Sequence, residues 1–218
     1  MTRPAAVLFD CDGVIVDSEG PSFLLFLEEL AVHGLPLTPE EFETRFVGGT
    51  VEMVAERARA AGARLPEDWV ARFYDRMYAM LTDGVPLVEG VTGVLDRLDA
   101  AGVPYAVGSN GSMQKMQITL GQHGLMGRFR AVVSGQAIGN PKPAPDVYLQ
   151  AAAACGVDPG ACVVIEDSAN GARAGLAAGM RVLGYAEHGV GTPTARQLTA
   201  LGVPLFHRMA DLPGLIGL

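Results

Sequence analysis

Five short apolar runs recur along the 218-residue chain. Each is followed by a Gly- or polar-marked turn, and then by a stretch with apolar residues at helical spacing. Ala5–Phe9, Tyr105–Gly108, Ala131–Val133, Cys162–Ile165 and Arg181–Gly184 read as strands buried on both faces, because polar residues do not alternate with the apolar ones. Helical patterns lie over Gly90–Ala101, Ser112–His123, Ala144–Cys155 and Ser168–Ala178. Strands that alternate with helices over this length predict an α/β fold: a doubly wound parallel sheet covered by helices on both faces. Apolar residues make up 49% of the chain, enough to fill such a core.

Residues 18–83 break the alternation. FLLFLEELAVHG, PEEFETRF, VEMVAERARAAG and EDWVARFYDRMYAML each show helical spacing, and no strand is expected among them. The expected organisation is an α/β core domain (residues 1–16 and 85–218) interrupted by an all-helical cap domain (residues 17–84). The connections carry Gly and Pro, at Asp17–Pro21 and Gly84–Pro86, which suits a hinged lid. Trp69, Phe73, Met77 and Met80 are expected in the core of that cap.

A formal net charge of -8 sets up a field that repels nucleic acid and anionic membrane surfaces. No apolar run approaches a membrane span, and MTRPAAVLFD lacks a signal-peptide core. The three cysteines, Cys11, Cys155 and Cys162, are an odd number without metal-ligand spacing, so reduced thiols are expected. These readings predict a soluble cytoplasmic protein, a monomer by default, whose partner is a small molecule. An anionic substrate would then need a local cation. Only two of the 16 basic residues are lysines, Lys115 and Lys142, and a Lys in an Arg-rich chain marks a place where a compact ammonium is wanted.

In doubly wound sheets ligands sit beyond the carboxyl ends of the strands. Asp10 and Asp12 follow the first expected strand, Ser109 and Asn110 the second, Lys142 the third, and Glu166 and Asp167 the fourth. Oxygen ligands from Asp10, Asp12, Asp167 and Glu166 suit Mg²⁺, which resolves the repulsion among clustered carboxylates. A serine hydroxyl and an ammonium can hold phosphoryl oxygens and offset the charge of transfer. Aspartate is a competent nucleophile toward phosphorus, and the i, i+2 spacing turns Asp10 and Asp12 to one side. Singly, each feature has an ordinary reading. Asp10 and Asp12 could be a solvated strand end, Ser109–Gly111 a turn before a helix cap, and Asp167–Ser168 another cap. Coincidence at four consecutive strand ends is what those readings do not explain.

DCDGV at 10–14, the strand ending in Ser109, KPAPD at 142–146 and EDSANGARAGLAAGM at 166–180 resemble, in order, the four motifs of the haloacid dehalogenase superfamily. The resemblance spans essentially the whole chain, including a small helical cap after the first motif. It implies that Asp10 is a nucleophile forming an aspartyl phosphate, and that Asp12 is the general acid/base, lending its backbone carbonyl to Mg²⁺. It further implies that Ser109 and Lys142 bind phosphate with Asn110 as helper, that Asp167 is a metal ligand, and that Glu166 is a ligand or stands behind one. Gly13–Val16 matches the turn on which the cap moves.

Asp12 argues against the dehalogenase branch, since halide leaves without a proton. The chain also resembles β-phosphoglucomutases, but Ser22 stands where those enzymes carry a His, and Val47 and Val51 stand where they carry Lys and Arg. SNGSMQKM at 109–116 is closer to the sugar-phosphate phosphatases. The expected activity is Mg²⁺-dependent hydrolysis of a small phosphorylated metabolite, a sugar phosphate or a phosphorylated sugar acid. A mutase or a non-catalytic phosphometabolite binder are the alternatives; receiver domains place their Asp after a later strand and have no insertion. Residues 45–50 are expected to form a loop after an acidic helix in TPEEFETRFVGGT; Arg45 or Thr50 in it are candidates for contacting substrate, and a helix–helix turn with Arg45 paired to Glu41 is the plainer reading. Cys11 is expected to be a buried side chain. His33, His123, His188 and His207 are expected at the surface without partners, Lys115 is expected to be exposed or within reach of a substrate, and Asp17 and Glu19 are expected to be solvated.

Overall fold

The computed structural model describes residues 3–46 and 50–218, with the side chain of Glu19 left out, so the expectation for Val47 and that for Glu19 fall outside the described part. Six parallel strands form one sheet: β1 (Ala6–Phe9), β2 (Tyr105–Ser109), β3 (Val132–Ser134), β4 (Cys162–Glu166), β5 (Arg181–Tyr185) and β6 (Leu205–Phe206). The spatial order is β3-β2-β1-β4-β5-β6. The five expected strands are present to within a residue at either end; β6 was not expected.

The chain runs outward from β1 through β2 to β3, then crosses back to place β4 on the other side of β1. A crevice opens at such a switch point. Phe9 is level with Val107 on β2 and with Ile165 on β4. The residues after these three positions therefore emerge side by side.

The sheet residues alternate between two apolar layers. Ala6, Leu8, Ala106, Val164 and Val182 pack with α8 (Asp146–Cys155), α9 (Ala169–Ala177) and α10 (Pro193–Ala200). Val7, Phe9, Val107, Ile165 and Leu183 pack on the opposite side with α5 (Val91–Ala101) and α6 (Met113–Gly121). Two short helices, α7 (Gly135–Ile138) and α11 (Leu212–Leu215), complete the core elements.

Between β1 and α5 lie four helices: α1 (Glu19–Val32), α2 (Pro39–Phe46), α3 (Val51–Ala60) and α4 (Trp69–Thr82). Phe26 stacks on Phe73 with centroids 4.1 Å apart, and Phe42 on Phe46 at 5.3 Å. Trp69, Phe73 and Met77 are buried, and Met80 packs against them half-buried. The helix α1 starts four residues before FLLF, because Pro21 falls in its first turn, where a missing N–H costs nothing. The two connections to the insertion run side by side: Asp17 N–H donates to Pro86 O at 2.9 Å and Val88 N–H to Ile15 O at 3.0 Å. Val14, Ile15 and Val16 are wholly buried. Gly13 makes the tight turn before them at φ 74°, a conformation open to glycine. The apolar layer on the Phe9 side of the sheet continues unbroken through these residues into the four helices.

Among the described residues no helix is long and apolar enough to cross a membrane. Cys11 and Cys162 are buried and Cys155 half-buried, all as free thiols.

Candidate active site

The register of β1 against β4 sets Asp10 beside Glu166, and Lys142 reaches both from the loop before α8. Its Nζ lies 2.7 Å from Asp10 Oδ1 and 2.6 Å from Glu166 Oε1. The Tyr148 hydroxyl, one turn into α8, lies 2.8 Å from both Lys142 Nζ and Glu166 Oε1. The other oxygen of Glu166 accepts from Asp167 N–H (3.1 Å), Ser168 N–H (3.0 Å) and Ser168 Oγ (3.0 Å). Glu166 is completely buried, and a carboxylate is tolerated there only because each oxygen has several donors.

The carboxylate oxygens of Asp10, Glu166 and Asp167 approach within 4.8 Å of one another. Burial pushes Asp10 up to about 7 from an ordinary 3.8. Lys142 opposes this, while the charges of Glu166 and Asp12 reinforce it. Burial also works against the charge on Lys142, but Asp10 and Glu166 overcome it and hold its pKa above the usual lysine value. These three carboxyl groups, two of them bonded to Lys142, gather oxygens at a largely buried place. That is a donor set of hard oxygens suited to a divalent cation. Both Glu166 oxygens have donors within the protein, and Asp10 has Lys142 on one of its two.

Asp12 is outside this group. Its carboxylate accepts from the Ser18 hydroxyl, and Oδ1 lies 2.7 Å from Lys115 Nζ. Lys115 is therefore enclosed at the site, its side chain 12% exposed. Ser109 Oγ accepts from Gly111 N–H at 3.0 Å, while the cap of α6 is the Ser112 side chain. The cap of α9 is likewise Ser168 and not Asp167. Asn110 grips the Lys142 peptide from both sides: Oδ1 accepts from Lys142 N–H (2.7 Å) and Nδ2 donates to Lys142 O (3.1 Å).

Asp10, Asp12, Ser109, Asn110, Lys142 and Asp167 all line one cleft of about 640 Å³ between the sheet edge and the helical insertion. Thr50 lines it as well and caps α3 by accepting from Met53 N–H at 3.2 Å. Arg45 does not line it. It is exposed, with its guanidinium 5.2 Å from the ring centre of Phe46 and its charge acting on Glu41. The cleft is bridged from insertion to core by Glu43 to Thr194 Oγ1 (3.2 Å), by Gln136 Nε2 to Glu52 Oε1 (2.6 Å), and by Tyr78 to Ser112 (2.6 Å).

Two parts of this site lie beyond sequence reasoning, Tyr148 and Ser18. A tyrosine on the apolar face of α8 reads as core, and nothing in the sequence says its hydroxyl meets Glu166. His123, His188 and His207 are exposed, as expected of surface residues, and His33 is half-buried; three of them do find partners. His123 contacts Val85 O (2.6 Å) and His207 contacts Ala186 O (2.7 Å), His33 lies 3.7 Å from Glu29, and the exposed His188 lines the cleft.

A family model described as haloacid dehalogenase-like hydrolase matches residues 4–179. The chain belongs to that family. It is 31% identical over 217 residues to 6-phosphogluconate phosphatase of Escherichia coli K12, covering 99% of this chain and 96% of the relative. It is 33% identical over 185 residues to hexitol phosphatase A of the same organism, covering 83% and 82% of the two chains. Among solved structures, a haloacid dehalogenase-like protein of unknown function from Agrobacterium tumefaciens superposes with a TM-score of 0.83 at 32% identity, covering 98% of this chain and 97% of that one. A family hydrolase from Deinococcus radiodurans with bound phosphate and sodium gives 0.77 at 35% identity, covering 100% and 96%. The chain is thus an enzyme of the family's phosphatase and β-phosphoglucomutase-like branch, a phosphoric monoester hydrolase.

Proposed function

We propose that the protein hydrolyses a small phosphorylated metabolite through an aspartyl-phosphate intermediate, with Mg²⁺ as cofactor. The observation that carries this reading is the Asp10–Lys142–Glu166–Asp167 cluster, a nucleophile, a cation and metal-type donors within one buried contact network.

A carboxylate oxygen of Asp10 attacks phosphorus, and the bond from phosphorus to the leaving oxygen breaks. Asp12 gives that oxygen its proton, then takes one from the water that attacks the phosphoenzyme, releasing phosphate and restoring Asp10. Ser109 binds a phosphoryl oxygen, and Lys142 offsets the charge that builds up on the transferring group. Asn110 acts by fixing the Lys142 peptide, and Glu166 with Tyr148 by fixing its ammonium. Asp10, Asp167 and the Asp12 carbonyl would hold Mg²⁺, which supplies positive charge to the phosphoryl oxygens when bound.

Residues 17–84 act as a cap over a core formed by residues 1–16 and 85–218, and the cap excludes bulk water from the acyl phosphate. Water rather than a second sugar is the acceptor: neither Ser22 nor Val51 offers the base or cation that a mutase carries there.

Purified protein should release phosphate from p-nitrophenyl phosphate and from a panel of sugar and polyol phosphates. It should lose that activity with EDTA and in Asp10→Asn. Metal-independent turnover, or full activity in Asp10→Asn, would overturn the reading. Conversion of β-glucose 1-phosphate to glucose 6-phosphate would overturn the choice of water.

A further inference from the structure

The cleft is larger than a phosphate needs, and the part beyond the phosphate end has a distinct chemistry. Ser22, in the first turn of α1, is 8% exposed and lines the cleft, and its Oγ has no hydrogen-bond partner. A buried hydroxyl left without a partner is costly, and it becomes satisfied when a ligand atom takes its place opposite. The cap side of the same cleft also carries apolar side chains, Phe23, Phe46, Val54 and Met77.

The charges point the same way. Among the described lining residues the cationic side chains are Lys142 and Lys115, with His188 as a titratable neighbour. Both lysines are spent at the phosphate end, Lys142 on Asp10 and Lys115 on Asp12. The remaining ionisable lining groups are acidic: Glu43 on α2, Glu187 after β5, and Asp17 at the entry to α1. Tyr185 lines the cleft with them, and burial, then the charges of Glu187, Glu89 and Asp17, push it up to about 12.

We infer that the leaving group is uncharged and hydroxyl-bearing, a polyol or sugar carrying a single phosphate, with Ser22 hydrogen-bonding one of its hydroxyls. A leaving group with its own carboxylate or second phosphate would face Glu43, Glu187 and Asp17 with no described cation to meet it. This rests on the phosphatase reading and narrows its substrate class, excluding the phosphorylated sugar acids.

The test compares an isosteric pair: glucitol 6-phosphate and 6-phosphogluconate, which differ only in a CH₂OH against a carboxylate at the far carbon. The expected kcat/KM favours the glucitol ester by about tenfold or more, with the preference shrinking as salt is raised. Ser22→Ala should lower kcat/KM for glucitol 6-phosphate by about fivefold relative to p-nitrophenyl phosphate, which has no hydroxyl to offer. Equal or better use of 6-phosphogluconate, with turnover of the panel intact, overturns this inference alone. An unchanged ratio in Ser22→Ala overturns the assignment of that residue. No turnover of any phosphoester sinks the phosphatase reading and this inference with it.

Discussion

The Glu166 carboxylate lies against the bare Cα of Gly171: a Cβ built there would sit 1.5 Å from Glu166 Oε1. The same oxygen accepts from Lys142 and Tyr148, so the first turn of α9 and the phosphate-side lysine are locked through one carboxylate. Gly171→Ala must expel Glu166 from its place. The expected result is a loss of at least about 100-fold in kcat and about 2–4 kcal/mol of stability, since it both overpacks and unpairs a buried charge. Gly93→Ala, exposed in the first turn of α5 with open space around it, should instead stabilise by about 0.5–1 kcal/mol. Thermal melts and p-nitrophenyl phosphate kinetics on the two variants check both directions; a fully active Gly171→Ala protein would refute the lock.

Asp10 should destabilise the metal-free protein. Its pKa stands at about 7 against 3.8, chiefly through burial, so the folded state prefers it protonated. Its contribution is most favourable below pH 4 and is lost as the pH rises through 7. In EDTA, Asp10→Asn should therefore be more stable than wild type by roughly 1–3 kcal/mol at pH 8, with the gap closing toward pH 4. Denaturant titrations across that range would show it. A gap that widens toward low pH has the wrong sign for this account.

Tyr148→Phe removes the hydroxyl shared by Lys142 and Glu166 while keeping the ring, which is fully buried. A cost of about 1–2 kcal/mol in stability is expected, with a fall in kcat of roughly three- to tenfold and KM little changed. A change confined to KM would mean that the tyrosine acts on substrate rather than through the lysine.

Gln136 ties the helical insertion to the core through Glu52 and the Tyr74 hydroxyl, at 2.6 and 2.9 Å. Gln136→Ala should loosen the closed arrangement, lowering kcat/KM by about two- to fivefold and speeding amide exchange in α3 and α4. Exchange identical to wild type would show that this contact does not govern opening.

The sheet was legible because both its faces are buried, so its central strands are near-continuous apolar runs bounded by Gly and polar turns. β6 was missed because Leu205–Phe206 is a two-residue edge strand, below the length at which periodicity speaks. The residues that converge on the cleft could be named from the ends of four strands, since the switch in strand order brings those ends together. What joins them could not. Asn110 lines the cleft and its amide also pairs with the Lys142 backbone, a link across 32 residues that no local pattern announces. Lys115 was half visible. It and Lys142 are the only lysines in the chain, and each ends on one carboxylate of the DCD pair. Rarity was the better signal than position on the helix.

Val14, Ile15 and Val16 form a dry joint between the sheet and the four helices, with one apolar layer running through it. Such a joint bends like a leaf spring rather than swinging like a gate, because a wide opening would wet a core shared by both sides. The insertion then has no melting of its own: calorimetry should record a single heat-absorption peak, in which helices and sheet are lost together.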